Sequence, residues 1–161
     1  MYPDFSLSIQ YAVAAPELPR WRLRRWVGRA LEFALAPPEP RAGSPVALAL
    51  RIVDTDEGRS LNAAYRQRDY ATNVLTFEYG ADLDGLISGD IVLCLPVLVR
   101  EAAEQRKPLR DHAAHLVTHG VLHALGWDHI EPEEAEHMEA LETRILAAQR
   151  IPDPYRSRAT P

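Results

Sequence analysis

The sequence has almost no cysteine and no long hydrophobic run. Cys94 is the only cysteine among 161 residues, so an intramolecular disulfide framework is excluded and a reducing compartment is expected. No apolar stretch approaches the roughly 18 residues that cross a bilayer, and residues 1–5 lack a basic segment followed by an apolar one. We therefore expect a soluble cytoplasmic protein with no membrane partner. Cys94 lies in the apolar run 91–99 and is predicted to be a core residue.

Lysine is also nearly absent, since Lys107 is the only lysine among 18 basic residues. Arginine suits phosphate geometry, although genomic base composition could produce the same bias. The net charge of -5 argues against a nucleic-acid partner, but the charge is uneven. Seven of the 23 acidic residues lie between positions 128 and 142, whereas residues 1–127 carry 15 acidic and 14 basic residues. Local arginine patches can therefore still contact RNA.

Hydrophobic periodicity predicts an α+β fold. Alternating or continuous apolar runs predict four strands, at about 7–13, 46–53, 73–79 and 89–95. Helical spacing and start signals predict five helices, within 16–37 and at about 55–66, 96–106, 110–125 and 132–149. Asp54 and Glu57 have the spacing of a helix N-terminal capping box. The length fits a single domain, 1–161, with an irregular tail from about 152, and strands that precede most of the helices favour the α+β class.

The first helix has a basic side. Its arginines are interleaved with apolar positions and are Arg20, Arg22, Arg24, Arg25 and Arg29. Two readings stay open at this point, a solvated helix face and an RNA-binding face.

A histidine pattern near the C-terminal third predicts a metal site. His119 and His123 are four residues apart, so on a helix both imidazoles leave the same face one turn apart. Gly126 permits the left-handed conformation that ends helices, which lets His129 turn back toward the same ion. Three neutral histidines and one open position are typical of a catalytic zinc, which can activate water at neutral pH. One Zn²⁺ is therefore predicted, although other divalent ions also suit this ligand set.

The remaining histidines are weaker candidates. His115 lies about 12 Å from His123 along a helix, too far to share one ion, so we interpret it as a packed residue or one that supports a ligand. His112 and His137 are predicted to lie on the surface. Asp128 is assigned a supporting role, orienting a ligand histidine or capping the turn, in preference to direct coordination.

The spacing also matches the zinc-peptidase motif H-E-x-x-H-x-x-G-x-x-H except at one position. Gly120 stands where the peptidases have the glutamate that takes a proton from water. Glycine cannot act as a general base, and no substitute carboxylate is identifiable from the sequence. The motif therefore favours a metal hydrolase with different chemistry.

The same segment resembles the signature H-G-x-L-H-x-x-G-x-D-H of the YbeY family of rRNA maturation endoribonucleases. Leu122 and Asp128 match this signature as well as the three histidines. The resemblance spans roughly residues 50–150 and includes 61–66, Asp69, 72–77, Gly89-Asp90, 107–109, 134–136 and Met138-Glu139.

The resemblance implies a fold and an activity. The fold is a small mixed four-stranded sheet packed with about five helices, with one zinc ion on a helix and the following turn. The activity is single-strand-specific cleavage of RNA in 16S rRNA 3′-end maturation and ribosome quality control. The implied partners are single-stranded rRNA, the small ribosomal subunit, and ribosomal or GTPase assembly proteins, with no role for DNA.

The resemblance further assigns Arg66, with His119, to catalysis. Arg66 can grip a phosphate or stabilise the charge that develops on phosphorus. Asn73 and Thr76 stand where the family more often has Asp and Ser, and Glu78 stands where Pro is common. An amide at position 73 cannot serve as a general base. Two alternatives to the endoribonuclease remain. One is a zinc-stabilised ribosome-assembly factor that binds rRNA or a ribosomal protein without cutting, and the other, less favoured, is a metallopeptidase.

Overall fold

The computed structural model of the protein describes residues 4–68, 70–127 and 130–156. Within these residues the chain forms four strands and five helices, close to the predicted positions. In chain order they are β1 (Phe5–Tyr11), α1 (Arg20–Ala34), β2 (Val46–Val53), α2 (Thr55–Arg66), β3 (Val74–Ala81), β4 (Ile87–Cys94), α3 (Leu95–Glu104), α4 (Leu109–Ala124) and α5 (Pro132–Ala147). The first strand begins two residues before the predicted Leu7 and ends two residues before the predicted residue 13, and residues 151–156 include a turn at 154–155.

The four strands form one mixed sheet in the order β1-β2-β4-β3. β1, β2 and β4 are parallel, and β3 runs antiparallel to β4 at the sheet edge. This arrangement confirms the small mixed sheet expected from the sequence. β3 is an edge strand and packs against α4.

The larger hydrophobic core lies between the sheet and α1, α4 and α5. Helix α4 crosses the sheet closely, since a Cβ on Gly120 would lie 2.9 Å from Ile91 Cγ2, and one on Gly89 would lie 2.9 Å from Ala124 Cβ. A smaller cluster covers the other side, beside α2 and α3, and contains Val53, Leu75, Val92, Cys94 and Val97. The two faces of the sheet therefore carry a larger and a smaller hydrophobic cluster, and α4 packs against the residues of β4 that face the larger one.

Local sequence signals explain several helix ends. The Asp54 side chain accepts a hydrogen bond from the Glu57 amide at 3.0 Å, so the predicted cap at the start of α2 is confirmed. Helix α1 buries one side, including Leu23, Trp26 and Leu31. Its arginines at positions 20, 24 and 25 are exposed, which confirms an amphipathic helix with a basic side.

The structure corrects one histidine assignment and confirms two other burial predictions. His112 was predicted to lie on the surface, but it is only 3% exposed. The sequence prediction was wrong because Glu101 of α3 supplies a hydrogen-bond partner that allows an imidazole to be buried. Cys94 is buried and His137 is exposed, as predicted. Among the described helices, none is long and apolar enough to span a bilayer.

Candidate metal centre

Helix α4 brings His119 and His123 together at its C-terminal end. Their Nε2 atoms lie 3.0 Å apart. Two nitrogen ligands of a tetrahedral zinc ion, each bound at 2.0–2.1 Å, are separated by about 3.3 Å. The two imidazoles therefore already have almost the separation that binding a single ion requires, as the four-residue spacing predicted.

The turn after α4 is shaped by a glycine and an arginine. Gly126 has a φ of +98°, a left-handed conformation that side chains with a Cβ rarely adopt. The Arg41 guanidinium donates to the Leu125 carbonyl oxygen at 2.8 Å, which satisfies one of the free carbonyl groups at the helix end. The predicted role of Gly126 in ending the helix is confirmed, and the contribution of Arg41 was not anticipated.

The next part of the predicted site lies beyond the described residues. Asp128 and His129 both fall in the gap between 127 and 130. In the described parts of the chain, no three His, Cys, Asp or Glu side chains are grouped so as to hold a metal ion. His119 and His123 thus form two thirds of the predicted ligand set, and the assignments of His129 and Asp128 stay predictions.

A cavity of about 540 Å³ opens beside the two histidines. The residues that line it come from α2, β3, α4 and the following loop, and are Arg66, Asn73, Val74, Thr76, Glu78, His119, His123, Gly126, Trp127 and Ile130. On β3, Val74, Thr76 and Glu78 pair with the β4 residues Leu93, Ile91 and Gly89. Alternate residues of a strand share one face, so this side of β3 looks toward α4. The structure therefore brings Arg66, predicted from the sequence, to the same cavity as the histidine pair.

Arg66 is oriented by the backbone of β3. Its Nη2 donates to the Thr76 carbonyl oxygen at 3.1 Å, while most of the residue is exposed. A guanidinium has five N–H donors, so this single bond leaves donors for a ligand. Arg66 therefore lines the cavity and can donate hydrogen bonds to a ligand that binds there.

Asn73 is held by a chain of hydrogen bonds that ends at the buried His112. Its Nδ2 donates to Glu101 Oε1 at 3.1 Å, and Glu101 also bonds to His112 Nε2 at 2.8 Å. Burial is the largest effect on His112 and lowers its pKa, although Glu101 opposes this shift. His112 is therefore a neutral donor that orients Glu101. Asn73 acts here as a hydrogen-bonding amide, consistent with the expectation that it is no general base.

Glu142 is a residue at this site that the sequence analysis missed. Its side chain is fully buried, and Oε2 lies 3.0 Å from His119 Nδ1. Oε1 lies 3.3 Å from His115 Nε2, and the Tyr155 hydroxyl donates to the same carboxylate. Burial acts to raise the pKa of Glu142, but the hydrogen bonds from His115, His119 and Tyr155 lower it to about 2. The carboxylate is thus ionised at neutral pH and accepts from three side chains.

A weak signal for Glu142 was present in the sequence. It follows Met138 by four residues and precedes Ile145 by three, so it falls on the buried side of α5. A carboxylate at such a position requires a partner, because an unpaired buried charge is costly. His115, interpreted from the sequence as packed or supporting, is one of these partners, and its side chain is 13% exposed.

Comparisons with known proteins cover nearly the whole chain. A family model described as Endoribonuclease YbeY matches residues 9–150. A relative from Bordetella pertussis named Endoribonuclease YbeY is 62% identical over 156 residues, which cover 96% of this chain and 98% of that protein. A protein of the same name from Thiobacillus denitrificans is 48% identical over 158 residues, covering 98% and 100%. The solution structure of TM1509 from Thermotoga maritima superimposes with a TM-score of 0.55 at 25% identity, covering 93% of this chain and 99% of that one.

Proposed function

The chain belongs to the YbeY family of endoribonucleases, and from this premise we propose that it is a metal-dependent endoribonuclease that hydrolyses RNA phosphodiester bonds in the His119–His123 cavity. The observation that carries the proposal is the convergence of two imidazole Nε2 atoms, 3.0 Å apart, with an arginine in one open cavity. This combination provides a place for a divalent ion and a cation for the phosphate.

The ion is held by His119 and His123, with His129 proposed as the third ligand. An all-histidine set suits zinc and also other divalent first-row metals. When bound, such an ion supplies Lewis acidity, since it lowers the pKa of water to about 7 and polarises a phosphoryl oxygen. The proposed assignment of zinc rests on the donor chemistry and on the spacing of the two described ligands.

The protein's own groups position the RNA. The free donors of Arg66 can form charge-assisted hydrogen bonds to a phosphate, and these strengthen as negative charge develops on the phosphoryl oxygens. Trp127 and the exposed Ile130 form an apolar wall against which an unpaired base can stack or pack. We propose that the substrate is single-stranded RNA in the 3′-end region of 16S rRNA. The reaction would take place on the small ribosomal subunit in the cytoplasm.

Two other functions, a metallopeptidase and an assembly factor without cleavage activity, are less well supported. Against the metallopeptidase, Gly120 lies on the side of α4 that packs on Ile91, so a glutamate at this position would not lie in the cavity. A ribosome-assembly factor that binds a ribosomal protein without cutting RNA is consistent with the acidic C-terminal third, but the histidine pair and Arg66 in one cavity favour catalysis over binding alone.

The test is cleavage of a labelled RNA that spans the 3′ end of 16S rRNA. We expect the purified chain to cut it, to lose activity on chelation and to regain activity with zinc. His119→Ala should abolish cleavage because it removes a ligand, whereas Glu139→Gln, which changes an exposed residue of α5, should retain it. Cleavage by His119→Ala at the parent rate would contradict the proposed site. Zinc binding without cutting of free RNA or of ribosomes would support the assembly-factor alternative.

A further inference from the structure

We propose that Glu142 and Tyr155 are positioning residues that hold His119 in the single tautomer able to bind the metal ion. This inference rests on the metal-dependent function proposed above, and it concerns groups that touch His119 rather than the RNA. It assigns a role in the metal site to the C-terminal segment, which the sequence analysis treated as an irregular tail.

The geometry around His119 defines its two ring nitrogens. Nδ1 lies 3.0 Å from Glu142 Oε2 and 3.4 Å from Oε1, whereas Nε2 faces His123 Nε2 at 3.0 Å. A carboxylate can only accept hydrogen bonds, so the proton of a neutral His119 must lie on Nδ1. The lone pair is then on Nε2, the nitrogen that faces His123 Nε2.

His119 would otherwise choose between two tautomers. A neutral imidazole carries its proton on either nitrogen, and only a ring whose proton is on Nδ1 can donate an Nε2 lone pair. Carboxylates bonded to ligand histidines fix the tautomer, orient the ring and raise its basicity. Glu142 is fully buried, so water competes little for its hydrogen bond with His119.

Tyr155 provides the third hydrogen-bond donor to Glu142. Its hydroxyl donates to Glu142 Oε1 and lies 3.1 Å from Oε2, and its ring packs edge-on against His115 with centroids 5.3 Å apart. The contact with the carboxylate raises the pKa of Tyr155, after the larger effect of burial, so the hydroxyl remains protonated and donates. Without this donor, a buried carboxylate would rely on the two histidines alone.

The segment that carries Tyr155 is itself fixed. The Ile151 amide donates to the Leu146 carbonyl oxygen at 3.0 Å, and the Tyr155 amide donates to Asp153 Oδ1 at 2.9 Å. Ile151 packs on the main hydrophobic core. These contacts bring the tyrosine back over α4 after the end of α5, which places it beside His115.

The experiment compares Glu142→Gln and Tyr155→Phe with the parent in two measurements. Zinc affinity is measured by competition with a chromophoric chelator, and the ¹⁵N shifts of the histidine rings are measured on the metal-free chain. A glutamine can donate to Nδ1, so we expect a substantial fraction of His119 to move its proton to Nε2. Zinc affinity should then fall roughly 10- to 100-fold in Glu142→Gln. Tyr155→Phe should shift both readouts in the same direction by a smaller factor, because the glutamate remains.

Matched controls separate this effect from general damage. Tyr79→Phe removes another tyrosine hydroxyl that donates to a carboxylate, that of Asp90 at 2.7 Å, on the face of the sheet away from α4. Glu139→Gln neutralises an exposed glutamate on the same helix. Both should keep the parent zinc affinity and ring shifts. If Glu142→Gln does not fold, Tyr155→Phe carries the test, since phenylalanine retains the packed ring.

The outcomes distinguish this inference from the proposed function. Parent zinc affinity and an unchanged His119 proton in both variants would overturn the positioning role. Weakened zinc binding in the variants, combined with a parent chain that binds zinc and cuts no RNA, would overturn the endoribonuclease and leave the positioning role in place. A parent that binds no zinc would overturn both.

Discussion

The proposed role of Arg66 depends on the residues that surround it in the structure. In the sequence it is one arginine at the end of a predicted helix, and the family resemblance alone assigned it to catalysis. In the structure it is the last residue of α2, bonds to the backbone of β3 and lines the cavity of the histidine pair. Its position at the cavity is consistent with the proposed contact with a phosphate.

We expect Arg66→Ala to lower kcat on RNA by about 10²-fold, the usual effect of removing one donor to the developing charge. Zinc affinity should change little, because the proposed ligands are histidines and Arg66 is bonded to the Thr76 carbonyl oxygen. Arg66→Lys should recover only part of the loss, since an ammonium group cannot bind phosphate in the bidentate manner. Steady-state kinetics and zinc titrations on the two variants measure these effects.

The control for Arg66 is Arg25→Ala, which removes an exposed arginine of α1 that does not line the His119–His123 cavity. It should keep the parent kcat. A similar loss of kcat in Arg25→Ala would indicate that overall charge, rather than the position of Arg66, controls the reaction. It would also favour the RNA-binding reading of the basic side of α1.

At the scale of elements, α4 organises the site by presenting different residues on two sides. One side packs on β4 through Gly120 and Ala124. Another carries four histidines, at positions 112, 115, 119 and 123, whose neighbouring ring centroids lie 6.5, 6.3 and 4.5 Å apart. Spacings of three and four residues align side chains along one helix face. The stripe therefore connects the His112–Glu101 pair to the proposed metal ligands through His115.

The close packing of α4 leads to a prediction for Gly120→Ala. The added Cβ would lie 2.9 Å from Ile91 Cγ2, and Ile91 is fully buried and stiff at χ1. We expect the free energy of unfolding to fall by about 1–3 kcal/mol, despite the better helix propensity of alanine. Urea denaturation of the metal-free chain measures the change.

A double-mutant cycle with Ile91→Ala tests the cause. The two substitutions should be less destabilising together than their summed effects, because the smaller residue leaves room for the new methyl group. Additive effects would mean that the loss in Gly120→Ala arises elsewhere in α4.

At the scale of the whole molecule, stability should depend on pH through buried ionisable groups. Burial lowers the pKa of His112 below its unfolded value of 6.5. Above pH 6.5 the histidine is neutral in both states and contributes nothing. As the pH falls below 6.5, the unfolded chain binds a proton that the native chain does not, so the free energy of unfolding decreases.

Glu142 acts at lower pH. Its pKa is about 2 in the native state and 4.5 in the unfolded chain, so it stabilises the native state above pH 4.5 and loses this contribution as the pH falls toward 2.

His112→Gln isolates the first of these effects, because glutamine keeps an amide donor for Glu101 and cannot titrate. Between about pH 7.5 and about pH 5.5, the metal-free parent should lose more unfolding free energy than the variant, by at most about 1.4 kcal/mol per pH unit. Chemical denaturation at several pH values gives both slopes. His137→Gln, at an exposed position, should keep the parent slope, and equal slopes for His112→Gln and the parent would show that His112 does not control this range.

Much of the fold was predictable because its signals are local. The alternation of apolar residues over 7–11, the Asp54 cap and the Gly126 turn each depend on neighbours within a few residues, and the structure confirms them, although β1 ends at Tyr11 rather than at the predicted residue 13. The spacing of His119 and His123 likewise determines that both imidazoles lie on one helix face. The His112 assignment failed because burial of a histidine depends on Glu101, which belongs to another helix.

The sequence by itself therefore determined the class of fold, the pairing of two histidines on a helix, and the absence of the peptidase glutamate at position 120. The tertiary structure decided what surrounds that pair: Arg66 from α2, the face of β3, and a buried glutamate from α5 that is itself held by Tyr155. The physical reason is distance along the chain. Helix periodicity and turn chemistry are encoded over a few residues, whereas Glu142 lies 23 residues from His119 and meets it only because the hydrophobic faces of α4 and α5 pack together.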